Sequence, residues 1–557
     1  MSHELSRRDF LKLSGAAGVA VSAATVLGGL GTSAAAVGAD ASGNVQAVAP
    51  QTWEAPGEVK QSYFRIGSVN CLLNEPVAPG EHSQIMVIDM HGGVNKSIAG
   101  NFVYLLASYG FTTMYGSPDS DSFIDQYQEM GRMVQWARRR EGITKVIVMG
   151  QSRGGSVCSG YQAIAENGAK LWQGPERLCP IPDMNLDPAD GVMILDANYG
   201  FQIMHLMSLN PALKSEESVW DTDPELEAQN PDNGWGIRQA DGSTCTYDEP
   251  FRRKYLNAQA KRYNSLIKMA KERWDKIDIG EGKTKDNEPF PILDAMVTNR
   301  IGNLMIYDLR LLAHTKKAWP LMHKDGSITE EIVYSVRSPQ NLNNTLGDYA
   351  CIYPTTVKDF LWLAMEVDED AYDYDEDGLY GINLDTCVAS PAGNAGKINC
   401  PILIIGHTAG HEYMTAEWAA ERAISKDKTI LFNEGATHNW TPIDRDKYGD
   451  TMENEAKFVA KWLTQDGRFV VFTPKESDAE FLQKRTAGIL SNGLSTDNLV
   501  LNGRVLSLVI DGREFILSTN ASNRNIDGEI AIGDGFYLVF DIKGNGSNVK
   551  EFKVVKK

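Results

Sequence analysis

The chain has 557 residues, of which 42% are hydrophobic and 23% are charged, as in an average soluble protein. Its formal net charge of -19 disfavours nucleic acid or anionic lipid as the main partner, because both bind clustered Lys and Arg. A chain of this length exceeds one ordinary core, so we expect one large domain with insertions and a small appendage.

The first residues have the pattern of an export signal. The opening "MSHELSRRDFLK" contains Arg7 and Arg8, and a weakly apolar run of small residues follows from Leu13 to Leu30. This resembles a twin-arginine signal, and its Gly and Ala content makes a poor membrane span. We expect cleavage after Ala36, a signal peptide and linker over residues 1–46, use of the twin-arginine translocation machinery, and a periplasmic or extracellular destination.

The next part of the chain alternates predicted strands and helices. "QIMVIDMHGG" at Gln84–Gly93 is a short apolar run that stops on glycines, as a buried parallel strand does. Phe123–Arg140 has apolar residues at helical spacing. The strand "KVIVM", a glycine-rich turn, a further helix and the strand "GVMILDANYG" at Gly191–Gly200 follow. This alternation predicts a parallel sheet with helices on its faces, an α/β fold.

A long insertion interrupts this alternation over residues 199–398. It is rich in Trp, Tyr and Met, and "RRKYLNAQAKRYNSLIKMAKERW" and "NLMIYDLRLLAHTKKAW" are both expected to be helical. The sheet pattern resumes with "CPILIIGH", "KTILFNEGATHNW" and the closing helix "NEAKFVAKWL". We therefore expect a mainly helical cap over the strand ends, between core segments 47–198 and 399–466.

Residues 467–557 change character. Apolar and polar residues alternate in period two around Asp-Gly and Gly-Asn turns, which predicts a linker and a small module of antiparallel strands.

Seven cysteines follow the signal, and none forms a C-x-x-C pair. Export permits disulfides, and Cys387 and Cys400, which flank one loop, are the candidate pair. An odd count leaves at least one cysteine unpaired in a monomer, and the sequence leaves the oligomeric state open.

Ser152 lies in "GQSRGG", between the predicted strand "KVIVM" and a helix. A serine hydroxyl becomes a strong nucleophile only when a base removes its proton and N-H donors hold the resulting oxyanion. Glycines around the serine permit a sharp turn, and the start of the helix directs amide N-H groups at the site. The pattern favours a nucleophile over a serine in an ordinary turn.

With these motifs the chain resembles the α/β-hydrolases over Gln84–Leu463, with a large cap inserted after the sixth strand. The resemblance implies that Ser152 is the nucleophile and that His438, beyond the last strand, is the base. It also implies that "HGG" after the third strand is the oxyanion loop, with the backbone N-H groups of Gly93 and Arg153 as donors. No cofactor is implied for catalysis.

The acid of the triad departs from the common family pattern. Ala409 stands where these families usually carry Asp after the seventh strand. Asp196, at the end of the sixth strand, lies where one branch of haloalkane dehalogenases keeps its acid, and Glu412 lies three residues beyond Ala409. Both remain candidates for the group that holds the imidazole tautomer and stabilises imidazolium.

Other polar residues near these motifs have ordinary interpretations. For His407 and His411, hydrogen bonding within their loop is favoured over lining a pocket, and the loop position disfavours a metal. Arg153 is expected to form a salt bridge to a neighbouring helix, with binding of a substrate carboxylate as the alternative.

The insertion also contains the start of a calcium loop. Asp373, Asp375, Asp377 and Gly378 repeat the D-x-D-x-D-G pattern, but Leu384 stands where an EF-hand needs a bidentate Glu. A structural calcium and a solvated acidic loop are the two interpretations.

The sequence thus favours an exported serine hydrolase that acts on a small-molecule carboxylic ester. The aromatic and Met residues of the cap suggest an apolar or aromatic substrate. A peptidase or amidase with the same triad is the first alternative, and a catalytically weak binding protein on a hydrolase scaffold is the second.

Overall fold

The structure is a computed structural model that describes most of the chain. It describes residues 36–39, 45–48, 56–93, 100–172, 181–294, 303–339, 342, 352–465, 467–469, 478–483, 498–502, 505–510, 513–519, 526–533, 535–543 and 548–557.

The first part of the chain supplies most of a large sheet and the helices that cover it. Its strands are β1 (Ala36–Ala39), β2 (Val45–Val48), β3 (Val59–Ile66), β4 (Val69–Pro76), β5 (Ile85–Asp89), β6 (Thr112–Ser117), β7 (Lys145–Ser152) and β8 (Gly191–Ala197). Its helices are α1 (Gly100–Ser108), α2 (Phe123–Arg139) and α3 (Arg153–Asn167).

The inserted middle segment contains helices and short strands. The helices are α4 (Phe201–Ser208), α5 (Glu249–Asp278), α6 (Val357–Leu363) and α7 (Pro391–Ala395). The strands are β9 (Ile292–Leu293), β10 (His314–Met322), β11 (Ile328–Tyr334), β12 (Ile352–Tyr353), β13 (Asp373–Tyr374) and β14 (Leu379–Tyr380). Helix α5 begins where the Asp248 side chain accepts a hydrogen bond from the Phe251 N-H, an N-cap that satisfies one free donor.

The last part completes the sheet and adds a β module. It contains β15 (Ile402–His407), α8 (Met414–Arg422), β16 (Lys428–Asn433), α9 (Arg445–Tyr448) and α10 (Thr451–Leu463). The module contains β17 (Leu499–Asn502), β18 (Val505–Ile510), β19 (Arg513–Ser518), β20 (Ile526–Gly533), β21 (Phe536–Lys543) and β22 (Asn548–Lys556).

The large sheet has the order β3-β4-β6-β5-β7-β8-β15-β16-β10-β11. Every pair from β6 to β10 along this order is parallel, whereas β3, β4 and β11 pair antiparallel. The glycine-rich serine turn follows the fifth strand of the series that begins with β3, and the insertion follows the sixth. This confirms the predicted α/β-hydrolase fold class.

Both faces of the sheet are buried, which explains the continuous apolar runs in its central strands. In β7, Val146 and Val148 face one core cluster while Ile147 and Met149 face the other. The first cluster also contains Tyr255 of α5, so the insertion packs on the same apolar layer as the helices of this face.

One predicted helix is wrong. The segment "NLMIYDLRLLAHTKKAW" forms one 3-10 turn at Leu304–Ile306 and then strand β10, which pairs parallel with β16. Buried Arg337 donates hydrogen bonds to the carbonyl oxygens of Met305, Leu311 and Leu312. These carbonyls therefore have a side-chain donor in place of helical N-H partners. Strands β10 and β11 thus extend the main sheet from within residues 199–398.

The other long predicted elements are confirmed. Helix α2 buries all five of its periodic apolar residues, Ile124, Tyr127, Met130, Val134 and Ala137. Helix α5 covers the stretch "RRKYLNAQAKRYNSLIKMAKERW". The C-terminal module forms two three-stranded antiparallel sheets, β17-β18-β19 and β20-β21-β22, around its own apolar cluster.

The candidate disulfide between Cys387 and Cys400 is wrong, because neither cysteine forms a disulfide bond in the structure. Cys387 Sγ lies 3.5 Å from Met365 Sδ, and Cys400 Sγ accepts a hydrogen bond from Gln162 Nε2 at 3.3 Å. Cys179 and Cys351 lie outside the described residues. In the described part of the chain, no helix combines the length and the hydropathy needed to span a bilayer.

Candidate active site

Four of the residues predicted from sequence lie at the carboxyl edge of the parallel strands. Ser152 ends β7, Asp196 lies near the end of β8, His407 ends β15, and His438 follows β16. Ligands of open α/β sheets bind at this edge, because the loops after the strands converge there.

Ser152 has a strained backbone at the turn between β7 and α3. Its φ is 58° and its ψ is -128°, which an L-residue rarely adopts. The turn is so tight that a methyl group at Gly150 would lie 2.0 Å from the Gly154 carbonyl oxygen. This turn therefore has room only for glycine at position 150, as expected of a turn that projects a nucleophile.

Asp196 is the extra residue of a β-bulge. Gln151 pairs with Leu195, but Ser152 pairs with Ala197, so Asp196 has no partner in β7. Its φ of 38° departs from strand geometry. Because a bulge redirects a side chain at a strand end, this irregularity turns the Asp196 carboxylate toward the loops.

Asp196 is bonded to His438. Its Oδ2 accepts a hydrogen bond from His438 Nδ1 at 2.6 Å, and its Oδ1 accepts one from the His407 backbone N-H at 2.9 Å. The Gln151 side chain also donates to the His438 carbonyl oxygen at 2.6 Å. Asp196 is buried, whereas 32% of the His438 side chain is exposed. His438 Nε2 is thus left as the ring nitrogen that can accept a proton.

The charges of this pair stabilise each other. Burial alone would raise the pKa of Asp196, but the nearby His407 charge and the hydrogen bonds lower the pKa below its ordinary value. Burial alone would lower the pKa of His438, but the hydrogen bond and charge of Asp196 raise the pKa above its ordinary value. The arrangement therefore favours an ionised carboxylate and a more basic imidazole.

Glu412, the other candidate acid, forms no hydrogen bond to His438 among the described residues. Its charge contributes to the raised pKa of His438. The structure thus brings Asp196 into contact with the imidazole and leaves Glu412 as a neighbouring charge.

A second buried histidine supports this pair, and no sequence motif indicated its carboxylate partner. His407 donates from Nδ1 to the Thr437 carbonyl oxygen and from Nε2 to Glu455 Oε2, each at 2.8 Å. Both ring nitrogens face acceptors, so the ring carries two protons and a positive charge. Its Nδ1 lies 3.6 Å from Asp196 Oδ2.

The charge of His407 is balanced inside the protein. Burial alone would lower the pKa of His407, but Glu455 and Asp196 together raise it to about 9. Glu455 also accepts hydrogen bonds from Asn433 Nδ2 at 2.8 Å and Trp440 Nε1 at 2.7 Å. The favoured interpretation of His407 as a hydrogen-bonded residue fits these contacts, although Glu455 lies on α10 and not in the loop.

The predicted oxyanion loop packs against the start of α3. A methyl group at Gly154 would lie 2.4 Å from the Met90 carbonyl oxygen and 3.1 Å from His91 Cα. Gln126 Nε2 donates to the Gly92 carbonyl oxygen at 2.6 Å. Arg153 is the first residue of helix α3, so its backbone N-H has no intrahelical acceptor. The roles of Gly93 and Arg153 as oxyanion donors remain predictions.

Ser152 Oγ forms no hydrogen bond within the described part of the chain. Serine-base contacts often tighten only when substrate binds, so this geometry is compatible with a nucleophile. The assignment of Ser152 to that role remains a prediction.

The acidic loop of the insertion is engaged with other groups of the chain. Asp373 pairs with Arg252, and Lys316 Nζ lies 3.9 Å from Asp377 Oδ1. Asp375 Oδ1 accepts the N-H groups of Asp377 at 3.2 Å and Gly378 at 3.0 Å. No group of three or more His, Cys, Asp or Glu side chains could hold a metal among the described residues. The calcium site stays a prediction that these contacts do not favour.

A family model described as "TAT (twin-arginine translocation) pathway signal sequence" matches residues 4–24. This confirms the predicted export to the periplasm or the extracellular space, although the matched residues lie outside the described part of the structure. No curated protein sequence matches the chain.

Several solved structures are similar to parts of the chain. Esterase B from Lactobacillus Rhamnosis (HN001) is 18% identical with a TM-score of 0.21, over 27% of this chain and 51% of that chain. Brefeldin A esterase, a bacterial homologue of human hormone sensitive lipase, is 12% identical with a TM-score of 0.34, over 75% and 79%. Est1E from Butyrivibrio proteoclasticus is 10% identical with a TM-score of 0.32, over 72% and 97%.

The chain spans about half the length of the esterase B structures that it matches. The order of its own strands, and the positions of the serine turn and of the insertion along them, are those of the α/β-hydrolase fold. This α/β-hydrolase-fold chain engages the twin-arginine translocation machinery and is exported by it.

Proposed function

We propose that the protein is an exported serine hydrolase that cleaves carboxylic esters through an acyl-enzyme on Ser152. The observation that carries the proposal is the 2.6 Å hydrogen bond between His438 Nδ1 and buried Asp196. This pair lies beside the strained serine turn, because Ser152 is paired with Ala197, the residue that follows Asp196.

The proposed reaction begins when Ser152 Oγ attacks the ester carbonyl carbon and His438 Nε2 takes its proton. Asp196 stabilises the imidazolium, and the backbone N-H groups of Gly93 and Arg153 hold the oxyanion. The imidazolium then gives its proton to the leaving alkoxide, and the alcohol departs. His438 next activates a water molecule, which attacks the acyl-enzyme, releases the carboxylic acid and restores Ser152.

The first experiment is covalent labelling of the exported chain, from about Ala47 onward, with a fluorophosphonate probe and detection by intact mass. An activated serine displaces fluoride, so we expect one adduct per chain on Ser152. Ser152→Ala and His438→Ala should abolish the adduct, because the first removes the nucleophile and the second removes its base.

Matched controls use residues of the same types away from the site. Ser327 lies in the turn between β10 and β11, and His323 bonds Glu434 and Thr329 at the same turn. Ser327→Ala and His323→Ala should both label as the wild type does. A folded wild-type protein that takes no label, or an adduct that persists in Ser152→Ala, would contradict the proposal.

A paired-substrate assay separates ester from amide cleavage. We expect hydrolysis of 4-nitrophenyl butyrate and far slower hydrolysis of the matching 4-nitroanilide. Faster release of nitroaniline would replace the esterase assignment with an amidase while the serine mechanism remained.

A further inference from the structure

A cavity of about 410 Å³ adjoins the serine turn, and its wall contains one cation from that turn. Most of the wall is apolar or aromatic, and it includes Phe123, Phe201, Tyr353 and Trp362. Arg153, the residue after Ser152, contributes its guanidinium to this wall.

Aromatic rings hold the guanidinium of Arg153 in place. Its Cζ lies 4.4 Å from the ring centroid of Phe123 and 4.3 Å from that of Phe201. Contacts with two ring faces fix the orientation of a guanidinium and leave its N-H edge for hydrogen bonding.

The N-H edge of Arg153 is only partly satisfied. Nη2 donates to the Asp121 carbonyl oxygen and lies 3.4 Å from Gln126 Oε1. Nε is buried without a hydrogen-bond partner in the described part of the chain. The salt bridge to a neighbouring helix expected from the sequence is absent from the described part of the chain.

Two of the three carboxylates in the same wall are bonded elsewhere, and the third, Asp121, contributes a charge that stabilises the Arg153 guanidinium. Asp359 accepts hydrogen bonds from Ser122 Oγ at 3.1 Å and Thr356 Oγ1 at 2.6 Å. Glu288 pairs with Arg273 at 3.0 Å. Arg153 therefore has a fixed charge, no direct ion pair among the described residues and an unsatisfied Nε donor, and such a charge gains most from an anionic partner.

The cavity is connected to the proposed site through two links. Arg153 follows Ser152 directly, and Gln126 joins Arg153 to the Gly92 carbonyl oxygen of the predicted oxyanion loop. A ligand that placed an anion against Arg153 would therefore contact the residue that follows the proposed nucleophile.

We infer that this cavity binds the apolar chain of an ester that ends in a carboxylate, and that Arg153 pairs with the carboxylate. The preferred substrates are then half-esters of dicarboxylic acids. The apolar wall accepts the chain, while the planar guanidinium edge matches a carboxylate. This inference rests on the proposed function, because it assigns the substrate class of the same site.

The test uses binding rather than turnover, so that it does not depend on catalysis. Ser152→Ala protein is titrated by calorimetry with monoethyl octanedioate and, separately, with the primary amide that replaces its carboxylate. Charge-assisted hydrogen bonds should make the half-ester bind tighter by about tenfold or more.

Arg153→Gln in the Ser152→Ala background should bring the ratio of the two dissociation constants close to one. Arg140→Gln is the matched control, because Arg140 also stacks on an aromatic ring, Trp136 at 5.2 Å, but does not line this cavity. Arg140→Gln should keep the ratio of dissociation constants that the Ser152→Ala protein shows. Equal affinities for half-ester and amide in the parent, or a preference that survives Arg153→Gln, would overturn the inference.

The two proposals fail in different ways. Hydrolysis of neutral esters without a binding preference for the half-ester would overturn the anion site alone. Selective binding of the half-ester by a chain that takes no fluorophosphonate label would support the anion site and overturn the proposed reaction.

Discussion

At the scale of single residues, Asp196 is held by two donors, the His438 ring at 2.6 Å and the His407 backbone N-H at 2.9 Å. An asparagine there could offer its NH₂ group to the imidazole and select the wrong tautomer. The hydrogen-bonding character of this side chain, more than its shape, therefore decides whether His438 can act as the proposed base.

Asp196→Asn should lower kcat for ester hydrolysis by about 10⁴-fold. Glu412→Gln is the matched control and should stay close to the wild-type rate, because Glu412 is not bonded to the imidazole. Steady-state assays with 4-nitrophenyl esters measure both. A larger loss in Glu412→Gln than in Asp196→Asn would assign the acid to Glu412.

The pH dependence of kcat/KM should show the effect of the Glu412 charge on the pKa of His438. In the proposed reaction His438 acts as neutral imidazole, and its pKa is raised, so kcat/KM of the wild type should rise with pH at a midpoint above about 6.5. Glu412→Gln removes a negative charge that stabilises imidazolium and should move this midpoint to lower pH. An unmoved or higher midpoint would contradict the assigned charge coupling.

Glu455→Gln should lower the free energy of unfolding by about 3–5 kcal/mol near neutral pH, because it removes the carboxylate bonded to the buried His407 charge and leaves only Asp196, 3.6 Å away, to balance it. The pKa of His407 is about 9 in the folded protein and about 6.5 when unfolded. Its contribution is thus full below about pH 6.5 and is lost as the pH rises through about 9. The difference between variant and wild type in denaturant titrations should shrink over that window.

Glu453→Gln is the control on the same helix. Glu453 forms an exposed pair with Lys457 at 2.7 Å, so its loss should change the free energy of unfolding by less than about 0.5 kcal/mol. Equal effects of the two substitutions would show that the His407-Glu455 pair contributes no more than a surface charge pair.

At the scale of elements, the site depends on how closely the loop after β5 approaches the start of α3. Gly154→Ala would place a methyl group 2.4 Å from the Met90 carbonyl oxygen, so the loop must move away from the helix. Because the proposed oxyanion donors lie on these two elements, kcat should fall by about 10²–10³-fold. Ester turnover and thermal unfolding measure the effect.

Gly80→Ala is the control for this glycine. No atom lies within 4 Å of a methyl group at Gly80, so activity should not change. Full activity in Gly154→Ala would mean that the oxyanion is held by other groups.

Sequence patterns predicted elements where local and tertiary preferences agree. The runs of β5, β7 and β8 are apolar because both faces are buried, and the periodicity of α2 matches its buried face. Strand β10 was missed because the carbonyl oxygens that precede it are satisfied by Arg337, a residue distant in sequence. Such a contact leaves no local signal.

In the candidate site, too, contacts between residues distant in sequence left no local signal. Ser152 and His438 carry motifs at fixed places in the chain, so they could be proposed from sequence. The contact of Asp196 with His438 depends on a bulge, and the pairing of His407 with Glu455 joins residues of β15 and α10. Neither a bulge nor a pairing across elements follows from spacing.

At the scale of the whole molecule, the C-terminal module has its own apolar cluster, which includes Leu506, Leu538 and Phe552. The segment just before it belongs to the main body. Arg468 pairs with Asp427 at 2.7 Å, and buried Phe469 packs on Trp462 with ring centroids 5.2 Å apart.

A matched pair of truncations tests this boundary. A chain that ends after Phe469 should keep fluorophosphonate labelling and a thermal midpoint near that of the full chain. A chain that ends after Leu463 loses the buried phenylalanine, worth about 3–5 kcal/mol, and its midpoint should fall by roughly 10 °C. Equal loss in both would show that the main body needs the module.

The bulge at Asp196 also has an evolutionary consequence. Deletion of this one codon would let Ser152 and Ala197 follow Gln151 and Leu195 in an uninterrupted ladder, and it would remove the proposed acid at the same time. A descendant lineage released from selection for activity would then gain strand regularity from a single mutational event. Relatives with an unbroken ladder at this position are therefore expected to be those that have abandoned this acid.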